Sequence, residues 1–175
     1  MNKAIFLDRD NTLIRDPGYF HEPEKIEFFS GVIEGLRKLR AEGFLFIVVA
    51  NQSGIGRGYF PESATIAVNQ KIAELLKEQG IRIEKCYYCP HAPEAGCECR
   101  KPKPALILQA AKEFEVNLKD SFFIGDTPRD MGAGRAAGTT TVLVGGEPAE
   151  MTDLHAPDIL TAAERIIAHR AERRT

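Results

Sequence analysis

The sequence lacks most of the features that would take it out of the ordinary soluble class. No apolar run approaches the roughly 20 residues a membrane-spanning helix needs, and no basic leader precedes an apolar stretch. The default expectation is therefore a cytoplasmic protein with no membrane partner. Low-complexity tracts, internal repeats and linkers are also missing, and 175 residues suit one domain over 1–175 better than two. Charge is nearly balanced at a net of -2, so no broad basic face is offered to nucleic acid. Basic residues gather only in HRAERRT at the C-terminus, which reads as a solvated helix end. Cysteine is confined to one stretch: all four fall between Cys86 and Cys99. That is too local for a disulfide framework and better suited to a metal in a reducing compartment.

What the sequence does have is an alternation of short apolar runs with helical patterns. AIFL (Ala4 to Leu7), LFIVV (Leu45 to Val49), FFI (Phe122 to Ile124) and TVLV (Thr141 to Val144) suit strands buried on both faces, and KCYYC suggests another. Val32, Ile33, Leu36 and Leu39 mark a helix with Ser30 as a possible N-cap and Gly43 to close it. A second carries Ile72, Leu75 and Leu76 up to Gly80. A third has Pro104 in its first turn and buries Leu106, Ile107, Ala110, Ala111 and Phe114. A short fourth spans about Pro128 to Ala137, and a last one carries Ile159, Leu160, Ala163, Ile166 and Ile167. This order predicts an α/β, Rossmann-like three-layer sandwich with a mostly parallel central sheet.

Ligands of such sheets bind beyond the strand C-termini. Asp8 and Asp10 follow the first run, Asn51, Gln52 and Ser53 the second, and Asp126 and Asp130 the third. Converging carboxylates of Asp8, Asp10 and Asp126 make a hard-oxygen site suited to Mg2+, which would relieve their repulsion. Alone, an Asp-x-Asp at a strand end is as readily a turn or a solvated loop.

DRDNT (Asp8 to Thr12), VVANQSG (Val48 to Gly54), CRKPKP (Cys99 to Pro104) and GDTPRD (Gly125 to Asp130) occur in an order that resembles the haloacid dehalogenase superfamily of phosphatases over nearly the whole chain. The resemblance implies that Asp8 is a nucleophile forming an aspartyl-phosphate. It makes Asp10 the general acid and base. Mg2+ would be held by Asp8, the Asp10 backbone carbonyl and Asp126, with Asp130 supporting. Lys101 would stabilise the phosphoryl group; on its own it would read as a solvated surface lysine.

In CPHAPEAGCEC, Cys89, His91, Cys97 and Cys99 offer three thiolates and an imidazole, a complete tetrahedral set for structural Zn2+ in a loop of about 86–101. Unpaired thiols or a redox pair are the competing readings. Cys86 reads as a small buried hydrophobe, unless it replaces Cys97 or Cys99 as a ligand.

A loop of this kind directly before Arg-Lys-Pro narrows the resemblance to the branch holding the D-glycero-D-manno-heptose 1,7-bisphosphate phosphatases and the histidinol-phosphate phosphatases. DPGYFHEPEKIEFFSGV and NQSGIGRG resemble the heptose side. The resemblance implies a small phosphorylated sugar as partner, contacted by Asp16, Gly18, Tyr19, Asn51, Gln52, Ser53 and Arg100, no separate cap domain, and a monomer. Histidinol phosphate is the second substrate, and a zinc-stabilised binding module without catalysis is the reading from another class. Two departures stand out: Ala50 replaces the branch's usual Thr, and Asn11 its usual Gly. Asn tolerates the left-handed backbone better than most residues, whereas a lost hydroxyl donor bears directly on rate.

Overall fold

The computed structural model describes residues 1–173; Arg174 and Thr175, the end of the basic C-terminal stretch, lie outside the described residues. Six strands form one sheet: β1 (Ala4–Leu7), β2 (Leu45–Asn51), β3 (Ile83–Cys89), β4 (Phe122–Gly125), β5 (Thr140–Val144) and β6 (Leu154–Ala156). The sheet is parallel throughout, in the order β3-β2-β1-β4-β5-β6. The helices are α1 (Val32–Ala41), α2 (Ser53–Gly56), α3 (Glu62–Glu78), α4 (Ala105–Glu113), α5 (Pro128–Ala137) and α6 (Ile159–Glu172).

Strand alternation divides the core in two. Ile5, Leu7, Phe46, Val48, Phe122 and Ile124 face one way, against apolar residues of α1, α3 and α6. Ala4, Phe6, Ile47, Val49 and Phe123 face the other, against Ile107, Ala110 and Ala111 of α4 and Ala133 and Ala137 of α5. Burial on both sides explains why these strands read as unbroken apolar runs rather than alternating ones.

Three local expectations shift. Gly31, not Ser30, is the N-cap of α1, in a left-handed conformation at φ 84°, so the side-chain cap is absent. Pro104 caps α4 rather than sitting inside it. Strand β6 carries no apolar run of its own and joins the sheet by pairing Leu154, His155 and Ala156 with Val142, Leu143 and Val144. Between β2 and β4 the chain forms α2, α3, β3, the cysteine loop and α4, and no second sheet or cap domain occurs among the described residues.

The topology fixes where a site can form. The chain starts at the centre with β1, runs out through β2 and β3, and returns to lay β4 on the other side of β1. The crevice beyond the C-termini of β2, β1 and β4 is thus the point where strand order reverses, which is where parallel α/β sheets bind ligands.

Candidate active site

Adjacent strand ends deliver the carboxylates. Leu7 lies level with Ile124 in the β1–β4 pair, and the Asp8 amide continues the ladder by donating to the Ile124 carbonyl at 2.9 Å. Asp8 and Asp126 therefore leave the sheet side by side. The Thr12 hydroxyl lies 3.2 Å from Asp8 Oδ2 and 3.0 Å from Asp126 Oδ1. It has one proton, so only one of the two carboxylates can be served at a time. Asp130 begins α5 as half of a capping box: its Oδ2 accepts from the Thr127 amide at 3.0 Å and the Thr127 hydroxyl at 2.8 Å.

Lys101 enters from the cysteine loop and is buried. Its Nζ donates to Asp8 Oδ1 at 2.7 Å and the Val49 carbonyl at 2.8 Å, and pairs with Asp130 Oδ1 at 2.7 Å. Burial alone would depress this ammonium, but Asp130 and Asp8 outweigh it and hold it above its ordinary value. One ammonium does not balance the acids around it. Burial first, then Asp130, push the Asp8 carboxyl well above the usual range, with Lys101 opposing. Burial and Asp130 likewise raise Asp126. Asp8, Asp126 and Asp130 each bring an oxygen within 4.8 Å of the others. An uncompensated cluster of carboxylate oxygens, with one proton donor shared between two of them, fits a hard divalent cation such as Mg2+.

Asp10 lies a step away and is held separately. Its Oδ1 accepts from Arg9 Nε at 2.9 Å and its Oδ2 from Gln52 Nε2 at 2.7 Å. Strand alternation continued from β1 would turn Arg9 away from the chemistry. β1 ends at Leu7, however, so alternation no longer governs residue 9, and the side chain turns inward to pair with Asp10 while fully buried.

A cavity of about 420 Å³ opens over these groups, lined among others by Asp8, Asp10, Asp126, Lys101 and Arg100. The expected substrate contacts Asp16, Gly18, Tyr19, Asn51, Gln52 and Ser53 all line it too, but several side chains are already engaged. Asn51 bonds to the backbone of Lys101 in both directions, at 3.2 and 3.0 Å, and so braces the lysine. Asp16 Oδ1 accepts from the amides of Gly18 at 2.7 Å and Phe20 at 3.1 Å, folding the loop that carries Tyr19. Tyr19 packs edge-on to Tyr59 at 4.8 Å. Arg100 is different: its Nη1 is buried with no protein partner, an orphaned donor beside the cavity. Asn11 has φ 59°, the left-handed conformation its side chain tolerates. Sequence reading missed Arg57 and Arg129, which also line the cavity. Arg57 stands inside NQSGIGRG and Arg129 inside GDTPRD, so their signal was membership of the stretches that carry the resemblance.

Directly beside the cavity, Cys89, His91, Cys97 and Cys99 gather their donor atoms within 4.8 Å of one another. Cys97 Sγ lies 3.5 Å from Cys89 Sγ and 3.6 Å from Cys99 Sγ, near the edge length of about 3.8 Å that Zn–S bonds of about 2.3 Å imply for a tetrahedron, whereas Cys89 and Cys99 are closer, at 2.7 Å. No two of the cysteines are joined in a disulfide, and the three-sulfur, one-nitrogen set fits Zn2+. Cys86 stays outside the cluster; burial pushes its thiol up to about 11, as for a small core residue. The loop also touches α2. The Gly56 amide donates to the Pro90 carbonyl at 2.8 Å, and a Cβ on Gly56 would stand 2.6 Å from the Ala92 amide nitrogen.

Comparison with known proteins places this arrangement. Residues 98–169 match the family described as HAD-hydrolase-like. The chain is 46% identical over 151 residues, 82% of both chains, to D-glycero-beta-D-manno-heptose-1,7-bisphosphate 7-phosphatase of Pasteurella multocida. It is 47% identical over 134 residues to the Helicobacter pylori protein of the same name, covering 76% of this chain and 78% of that one. Among solved structures, the D,D-heptose 1,7-bisphosphate phosphatase of B. bronchiseptica, complexed with magnesium and phosphate, superposes with a TM-score of 0.85 at 29% identity, over 95% of this chain and 99% of that one.

Proposed function

The chain belongs to the HAD-like phosphatase family and is a phosphatase, and on that premise we propose that it removes the 7-phosphate of D-glycero-D-manno-heptose 1,7-bisphosphate in heptose nucleotide biosynthesis. The observation that carries the substrate is the identity of 46% over 82% of a relative bearing that name.

The residues supply a two-step route. Asp8 Oδ attacks phosphorus, the P–O bond to the sugar breaks, and Asp10 gives its proton to the departing alkoxide oxygen. Asp10, now ionised, takes a proton from water as that water attacks the aspartyl-phosphate, releasing phosphate and restoring Asp8. Lys101, fixed between Asp8 and Asp130, holds positive charge where the phosphoryl oxygens arrive. Asp8, Asp126 and the Asp10 carbonyl would hold Mg2+, with Asp130 supporting; when bound, the ion supplies charge neutralisation to the phosphoryl oxygens. Cys89, His91, Cys97 and Cys99 would hold Zn2+, whose role is to fix the loop presenting Arg100 and Lys101. Arg100, with its unpartnered Nη1, is suited to a second anionic group of the substrate.

The test is phosphate release from heptose bisphosphate, histidinol phosphate and a 3'-phosphorylated oligonucleotide, with and without Mg2+. Mg2+-dependent release on the order of a hundredfold faster from the heptose substrate is expected, and its loss in Asp8→Asn. Equal slow turnover of all three would leave only the class. Release that persists in Asp8→Asn would return the chain to a binding module with contaminating activity.

A further inference from the structure

The most deeply buried charge near the site does not line the cavity at all. Arg9 is 0% exposed, yet its guanidinium joins four separate segments of the chain. Nε donates to Asp10 Oδ1 at 2.9 Å, and Nη1 to Asn69 Oδ1 of α3 at 3.0 Å. Nη2 donates to Gln52 Oε1 at 3.0 Å and to the Phe20 carbonyl at 3.2 Å. Gln52 closes a ring by donating from Nε2 to Asp10 Oδ2 at 2.7 Å.

The chemistry of this ring leaves little choice. A guanidinium has no acceptor, so Gln52 must turn its carbonyl oxygen to Arg9 and its amide nitrogen to Asp10. Each Asp10 oxygen is then gripped by a donor from a different side, which fixes the plane of the carboxylate. An ionised carboxylate has about four acceptor positions, so the grip leaves others free toward the cavity that Asp10 and Gln52 both line. The hydrogen bonds of Arg9 go to Asp10, Asn69, Phe20 and Gln52 and not to Asp8, Asp126, Asp130 or Lys101, so it is placed to act on Asp10 and not on the phosphoryl pocket.

We propose that Arg9 and Gln52, braced by Asn69, are positioning residues that orient Asp10 toward the leaving-group oxygen. The inference rests on the reading of Asp10 as general acid and base. Proton transfer needs heavy atoms about 2.6–3.2 Å apart, and a misplacement of about 1 Å can cost about a hundredfold.

The experiment compares kcat/KM for an alkyl phosphate, whose alkoxide must be protonated to leave, with p-nitrophenyl phosphate, whose phenolate leaves unaided. Both are measured with Mg2+ for wild type, Asp10→Asn, Arg9→Met, Arg9→Lys and Gln52→Met. Gln52→Met and Arg9→Met should lose about a hundredfold on the alkyl phosphate but less than about tenfold on p-nitrophenyl phosphate. Inhibition by inorganic phosphate should be unchanged, and Arg9→Lys should recover part of the loss. If Arg9→Met does not fold, as a melting curve will show, Gln52→Met decides, since it keeps the Arg9–Asp10 pair. An Asp10→Asn that loses equally on both substrates sinks the role of Asp10 itself. Asp10→Asn selective for the leaving group, beside a Gln52→Met that loses equally on both or not at all, overturns the positioning role alone.

Discussion

Two clusters of candidate metal ligands lie side by side in this protein and are built in opposite ways. The carboxylates of Asp8, Asp126 and Asp130 hang from the ends of β1 and β4 and the start of α5, so the buried sheet fixes them before any ion arrives. Of the other cluster, Cys89 is buried at the end of β3, but His91, Cys97 and Cys99 sit on a loop whose residues from His91 to Cys99 include none that is buried. One cluster is placed by the core; the other must place its own loop. The difference matters because Lys101, the cation at the centre of the first cluster, is delivered by the second.

The largest effect that would test this comparison is loss of the soft cluster. Cys99→Ser, or chelation strong enough to strip Zn2+, should lower kcat/KM about a hundredfold by loosening Lys101 and Arg100. The far-UV circular dichroism should barely change, since the two-sided core contains none of the loop. Free-thiol titration of the stripped native protein should then find Cys97 reactive, while Cys89, fully buried with its thiol raised to about 12, and Cys86, half-buried with its thiol at about 11, stay slow until unfolding. Global unfolding on chelation would mean the loop supports the fold and not only the lysine.

The two clusters were also unequally legible. The cysteine loop could be read as a cluster from spacing alone, because soft ligands so close together have few other uses, and Cys86 lies outside the four that gather. The strand ends and the convergence at β1, β2 and β4 followed from apolar runs and the rules of parallel sheets. What could not be read was side-chain traffic over long separations: Arg9 to Asn69, Gln52 to Asp10, Asn51 to the Lys101 backbone. Asn51 and Gln52 look in sequence like polar residues offered to a substrate. In the fold their amides brace the lysine and the acid. Strand β6 was invisible for a related reason: its three residues are recruited by the neighbouring strand and carry no periodicity of their own.

A smaller effect sharpens the hard cluster. Because the Asp8 and Asp126 carboxyls are raised, their ionisation in the metal-free protein opposes folding. That penalty is absent below about pH 4, where unfolded carboxyls are protonated too, and grows as pH rises toward the raised values. Mg2+ favours the ionised forms, so the gap between the Mg2+-bound and metal-free melting temperatures should widen from pH 4 upward. At an ion concentration of about 100 times Kd it should reach about 5 to 10 °C. A gap that does not vary with pH would mean the ion binds elsewhere.

The smallest expected effect is the gain from Ala50→Thr, where the strand end lacks the hydroxyl usual in its branch. Ala50 is buried in β2 opposite Tyr88 and is not among the cavity-lining residues, whereas Ser53, three residues on, lines the cavity at the start of α2. A hydroxyl from Ser53 can therefore stand in for the missing donor, and α2 is held against the cysteine loop by the Gly56–Pro90 bond. Losing the only such donor costs about a hundredfold or more, so the stand-in makes a sharp prediction for a double-mutant cycle. Ala50→Thr should raise kcat only about threefold, and Ser53→Ala should cost about a hundredfold in the natural chain but about tenfold or less beside Thr at position 50. Additive effects would show that the two positions serve different oxygens. A hundredfold gain from Ala50→Thr alone would show that nothing on α2 had replaced the hydroxyl.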